Sequence, residues 1–241
     1  MEVYNVYLPE TRNTVPVFVE RKKIKTCRLK VFPDKTIRFS VPESTLQLWI
    51  EQYLNSKNQW LSKKIQIFEQ TKGYAATDEI RNGFSIRFLG EDLVFTLSQN
   101  GQTGVHKEGK NLCVYSPDSN DQDRLFTLFD KWWRKESLKI LDTQVEKLYP
   151  IIEKYKINRP RIMLKKMKTL WGSCSPHRGI ITFNQYLTKA TPACIEYVVL
   201  HELVHFLYPN HGKQFYDFLS NYIPDWKERK KILDQDVVHG L

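Results

Sequence analysis

Methionine does not occur beyond Met167, no pair of cysteines has a CxxC spacing, and Lys154 to Lys168 holds no acidic residue. The four cysteines, Cys27, Cys113, Cys174 and Cys194, are scattered, which suits reduced thiols better than a disulfide framework. A run of about 18 apolar residues, the minimum for a membrane-spanning helix, is also missing. The opening MEVYNVYLPE lacks the basic-then-apolar layout of a signal peptide. The expectation is therefore a cytoplasmic protein without a membrane partner. With 241 residues and 41% hydrophobic content, the chain can bury one large core or two small ones.

What is abundant is positive charge. Lys and Arg number 37 against 27 Asp and Glu, a formal net charge of +10. The excess gathers in two places. One is the stretch 154–168, where Arg161, Lys165, Lys166 and Lys168 form a candidate phosphate or polyanion patch. The other is Arg21, Lys22, Lys23, Lys25, Arg28 and Lys30. Such clusters attract phosphates and nucleic acid by long-range field and counterion release, and equally serve as solvated basic faces. No recognisable nucleic-acid motif accompanies either one.

The order of patterns divides the chain. Short alternating segments at Val3 to Leu8, Val15 to Glu20, Cys27 to Phe32 and Thr36 to Val41 read as strands, with Pro33-Asp34 as a turn. A helix is predicted from about 44 to 70, its apolar residues recurring from Leu46 to Phe68, with Ser56 and Asn58 as interruptions. Strands follow at Phe84 to Leu89, Leu93 to Leu97 and Leu112 to Tyr115, while His106 falls in a polar loop. From Asp121 the period becomes helical as far as Pro150, with Phe126, Phe129, Trp132 and Trp133 as core aromatics. A basic extended segment from Arg161, the loop WGSCSPHRG, a strand at Ile180 to Asn184, a helix at about Thr191 to Tyr208 and two shorter helices complete the chain.

The chemistry is concentrated in HELVHFLYPNH, residues 201–211. Side chains four apart on a helix stand on one face, so His201 and His205 can offer two imidazole nitrogens to one zinc ion. Glu202 lies about 100° further round, placed to act on a metal-activated water as general base rather than as a ligand. Catalytic zinc takes three protein ligands, and Pro209 forces a turn that brings His211 back as the third; Asp217 and Glu228 are the alternatives. Thr191 as N-cap, Pro192 at the first position and the apolar Ile195, Val198, Val199 and Leu203 predict a buried helix, where unpaired His and Glu would be costly. The spacing also fits the metzincin pattern, but Tyr208 stands at its glycine, and Met1, Met163 and Met167 all precede the site, so a methionine turn is excluded.

KTLWGSCS at 168–175, GIITFNQYL at 179–187 and YVVLHELVHFLYPNHGKQF at 197–215 together resemble the YgjP-like family of metal-dependent hydrolases, relatives of the SprT and WLM zincins. The chain departs from it at Thr169-Leu170, where relatives commonly carry an arginine. The resemblance implies a three-histidine zinc site with Glu202 as base. The expected fold class is α+β: a strand-rich N-terminal region with one long helix at 1–118, then a helical zincin-like metallopeptidase domain with a small sheet at 119–241. The expected activity is peptide hydrolysis with Zn2+ or another divalent ion, the substrate lying along strand 180–184 and touched by Trp171, Ser173 and Asn184. A nucleotide phosphoanhydride hydrolase holding phosphate on the 154–168 cations, and a nucleic-acid-associated module with a structural metal, are the alternatives.

Overall fold

The computed structural model describes residues 2–32, 35–70, 79–167 and 170–236. The Pro33-Asp34 turn, Lys168, Thr169 and the side chain of Phe68 lie outside the described residues. The chain forms two compact units, Met1–Gly73 and Tyr74–Leu241. The strands of 85–115 thus group with the C-terminal helices, whereas the sequence reading drew its line at 118/119.

In the first unit, β1 (Glu2–Leu8), β2 (Asn13–Lys22), β3 (Arg28–Val31) and β4 (Ile37–Pro42) form a sheet of order β1-β2-β4-β3. Alternation decides its faces: Val17, Val19, Ile37, Phe39 and Val41 point to a core closed by Ile50, Leu54, Leu61 and Ile65. Those last four residues come from two helices rather than the single one expected. α1 (Gln47–Ser56) and α2 (Asn58–Gln70) are separated at Lys57. The reason is local competition for backbone groups: Ser56 Oγ donates to the Tyr53 carbonyl at 2.7 Å, and Asn58 Oδ1 accepts from Gln59 N at 2.6 Å.

The second unit opens with β5 (Ser85–Phe88), β6 (Glu91–Ser98), β7 (Gly104–Glu108) and β8 (Asn111–Tyr115), ordered β5-β6-β8-β7. His106 stands on β7, exposed, with its ring against Tyr115, and not in a loop. The long α3 (Gln122–Leu148), N-capped by Asp121, lays Leu125 and Trp133 on this sheet. Its lower half, Leu141 to Leu148, enters the core that carries the histidine motif. Trp133 Nε1 donates to the Gln185 carbonyl at 2.9 Å, and Ser137 Oγ and Thr188 Oγ1 stand 2.8 Å apart, so α3 fixes the turn that launches the motif helix. After α4 (Pro150–Glu153) come β9 (Arg161–Lys165), β10 (Gly172–Ser175) and β11 (Ile180–Asn184), in a sheet of order β10-β11-β9. Residues 172–175, expected as loop, are therefore an edge strand, antiparallel to β11. Strand β11 is central, with both backbone edges occupied, so it cannot receive a substrate strand as the sequence reading supposed.

Three helices close the unit: α5 (Pro192–Val204), α6 (Lys213–Tyr222) and α7 (Trp226–Asp236). Among the described residues no helix is long and apolar enough to cross a membrane. The architecture is mixed α+β, as the sequence predicts.

Candidate metal centre

Helix α5 begins as its sequence dictates. Thr191 Oγ1 accepts from Cys194 N, Pro192 occupies the first turn, and most of the helix surface is buried. Its regular part ends at Val204, four residues before the predicted end. Phe206 N and Leu207 N reach back only three residues, to the Leu203 and Val204 carbonyls, tightening the last turn ahead of Pro209. This turn carries His205 at the helix end and delivers His211 beyond it.

The ligand atoms of His201, His205 and His211 lie within 4.8 Å of one another. The Nε2 atoms of His201 and His211 are 2.9 Å apart. Nitrogens around a tetrahedral zinc with bonds of about 2.0–2.1 Å stand about 3.3 Å apart, so the donor set fits that ion in number, type and spacing. His205 Nδ1 lies 3.2 Å from the Tyr208 carbonyl oxygen; donation there leaves Nε2 as its free lone pair. Among the described residues, His201 Nδ1 is buried without a hydrogen-bond partner. Phe215, fully buried on α6, packs its ring 4.8–4.9 Å from all three imidazoles and forms the floor of the cluster. Burial foremost, then the neighbouring histidines, holds His201 down to about 3, and burial lowers His205 and His211 as well, so all three are neutral donors at neutral pH. Among the described residues, neither Asp217 nor Glu228 joins this group, and Asp217 pairs with Lys213 at 2.6 Å.

Glu202 is only 5% exposed, and burial pushes its carboxyl up to about 8. Its place depends on Gly172 of β10: a Cβ there would meet Glu202 Cγ and Oε1 at 2.7 Å. The edge strand thus presses against the candidate base at the one residue that leaves room for it. Histidines and glutamate open into a cavity of about 620 Å³, also lined by Trp171, Ser173, Tyr197 and Lys230.

Of the other residues singled out from the sequence, Trp171 and Ser173 line this cavity and Asn184 does not. Asn184 is fully buried. Its Nδ2 donates to the carbonyls of Met167 (2.7 Å) and Leu170 (2.9 Å), so it clamps the segment that leads into Trp171 instead of meeting a substrate. Arg161 and Lys165 are exposed on β9, Lys166 pairs with Asp130 at 2.7 Å, and none of the three lines the cavity.

Sequence reasoning missed Gly172, Lys230 and Tyr197. Tyr197 lies one helical turn before His201 on the same face, a spacing that was available in the sequence. It is 5% exposed, its ring is held between Trp226 and His201, and its hydroxyl makes no hydrogen bond among the described residues. Burial, then the carboxylates of Asp234 and Glu202, raises its pKa and keeps it a proton donor.

Three converging imidazoles, a buried carboxyl and a phenol thus line one cavity, and the imidazoles could hold a metal ion. The chain belongs to the YgjP-like family: the family model described as YgjP-like, metallopeptidase domain, matches residues 25–236. Two solved metallopeptidase zymogens are similar to part of it. One is jannalysin of Methanocaldococcus jannaschii, 28% identical, covering 39% of this chain and 94% of its own, with a TM-score of 0.34. The other is abylysin of Pyrococcus abyssi, 18% identical, covering 39% and 91%, with a TM-score of 0.35. No curated protein matches the chain.

Proposed function

We propose that this chain is a zinc-dependent metallopeptidase with Glu202 as general base and acid. The observation that carries the reading is the convergence of His201, His205 and His211 beside a buried glutamate in one cavity. Among the described residues no fourth His, Cys, Asp or Glu joins them, which favours a catalytic centre with an open position over a closed structural one. Zinc held by the three imidazoles supplies a Lewis acid that acidifies water and polarises a carbonyl.

The protein's own groups do the rest. Glu202 in its ionised form, which a divalent cation held beside it would favour, takes a proton from the attacking water and returns it to the amide nitrogen as it leaves. Tyr197 donates its unshared hydroxyl proton to the carbonyl oxygen as charge builds there. Strand β10, paired on one edge only among the described residues, offers the other to an extended peptide, with Trp171 and Ser173 beside it. Asn184 acts through the 167–170 segment as a positioning residue.

A substrate screen on zinc-loaded protein, covering peptides and nucleoside triphosphates and run beside Glu202→Gln, tests this. Peptide cleavage that falls on the order of 10³-fold in the variant at equal zinc content is expected. Cleavage of triphosphates alone would overturn the peptidase reading, and undiminished peptide cleavage in the variant would overturn the role of Glu202.

A further inference from the structure

The solvent face of the first sheet carries an arrangement that the peptidase reading does not use. Register sets Lys30 of β3 directly opposite Arg38 of β4, Arg38 opposite Phe18 of β2, and Phe18 opposite Val3 of β1. One row beside it, Arg28 faces Ser40, and Ser40 faces Glu20. Lys30, Arg38 and Arg28 are exposed, and two cations placed opposite one another across a ladder repel. The acidic residue of this face, Glu20, is neutralised by Lys22 at 2.7 Å. Arg21, by contrast, is committed to Glu2 at 2.6 Å and to the carbonyls of Glu43 and Thr45. Arg38 stands over Phe32 at 5.6 Å and is paired with the half-buried Phe18, while Tyr7, 55% exposed, lies on β1 opposite Thr14, two rows further along the same face. The face therefore grades from basic on β3 and β4 to aromatic and apolar on β2 and β1.

We propose that this sheet face binds single-stranded nucleic acid, with phosphates on Arg28, Lys30 and Arg38 and bases stacked towards Phe18 and Tyr7. A polyanion relieves the Lys30–Arg38 repulsion, and a flat face with rings beside cations is the combination that holds unpaired bases without reading their sequence. A membrane surface fits less well, because Phe18, in the row of the cations, is half-buried and so has less apolar surface to insert.

The test uses the full chain and fluorescein-labelled oligo-uridine and oligo-thymidine of about 12 nucleotides, long enough to cross one such face. Anisotropy titrations over a salt series are expected to give binding to one or both strands, with log K falling against log salt at a slope of about −2 for three phosphates neutralised. The RNA and DNA arms tell which sugar is preferred. Lys30→Glu with Arg38→Glu is expected to weaken binding at least roughly tenfold and to flatten the slope by about 1.4, while circular dichroism and melting temperature stay unchanged. Arg161→Glu with Lys165→Glu makes the same change in net charge on β9 and is expected to bind as the wild type. Equal losses in both double variants would reduce the effect to net charge and overturn the proposal, as would binding to phosphatidylserine vesicles but to neither oligonucleotide.

Discussion

Gly172→Ala is the sharpest probe of the centre, because the three atoms nearest to its added methyl all belong to the candidate base. Gly172 lies in an ordinary extended strand with no left-handed backbone angle, so only space is at issue. The added methyl stands 2.7 Å from Cγ and Oε1 of Glu202 and 2.9 Å from Cδ. Carbon contacts become comfortable near about 3.5 Å, so one side yields by about 0.8 Å. The strand is the firmer side: Gly172 pairs with Phe183 in the β10–β11 ladder, and Phe183 is fully buried. Glu202 is therefore displaced, and misplacement of a catalytic group by about 1 Å costs on the order of 10²-fold. The expected loss in kcat/KM is roughly 30- to 100-fold, about 2 to 3 kcal/mol of transition-state stabilisation. Zinc content, measured by inductively coupled plasma mass spectrometry, should stay stoichiometric, and a melting curve within a few degrees of wild type separates displacement of the base from loss of fold. Full kcat/KM with full zinc content would refute the placement of Glu202 as base against β10.

Tyr197→Phe removes the hydroxyl and keeps the ring between His201 and Trp226. Loss of one hydrogen-bond donor to developing charge lowers kcat on the order of 10²-fold with KM nearly unchanged, and a change in KM alone would make Tyr197 a binding residue only. Glu196 predicts a pH dependence of stability. Burial by itself raises its pKa, but hydrogen bonds from Arg229 (2.8 Å) and Lys147 (2.9 Å) outweigh that and hold it below the ordinary carboxylate value. A depressed folded-state pKa gives stability that is complete above the unfolded value, about 4.3, and fades as pH falls through the folded one. Glu196→Gln is thus expected to lower urea-unfolding stability by about 1 to 3 kcal/mol at pH 7, the range for a charge-assisted bond, with the gap from wild type closing below pH of about 4. A gap independent of pH would show that the loss is one of packing.

Legibility in the sequence followed interaction range. Thr191-Pro192 and the apolar run after it declared the start of α5, since capping is settled within three residues and is visible in any sequence. The three histidines were legible for a related reason: a helical turn and a proline-directed reversal bring residues 201, 205 and 211 together using only eleven positions. Ser56 and Asn58 were visible as interruptions, but not their outcome, because whether their side chains capture the backbone or yield to the helix is a balance of a few tenths of a kcal/mol. Strand β10 was read as loop because GSCS has no alternation of apolar and polar residues; its pairing is imposed by β11, eight residues downstream.

That same strand explains why the proposed base and its surroundings are less legible than the proposed metal ligands. A ligand set is defined by what three side chains point at, and all three sit in one short segment. The proton affinity of Glu202 is raised by burial, and one of the residues packed against it is Gly172, thirty positions upstream and silent in any motif of charged or polar residues. A glycine at this position reads in sequence as flexibility, whereas here it is an absence of volume that lets the face of a strand and a buried carboxyl occupy adjacent space. Gly172 meets Glu202 on a face of β10, and residues of the same strand line the cavity. Base placement and substrate placement are consequently coupled through one strand: substitutions that move β10 should alter kcat and KM together, and those confined to the histidine turn should alter metal affinity first.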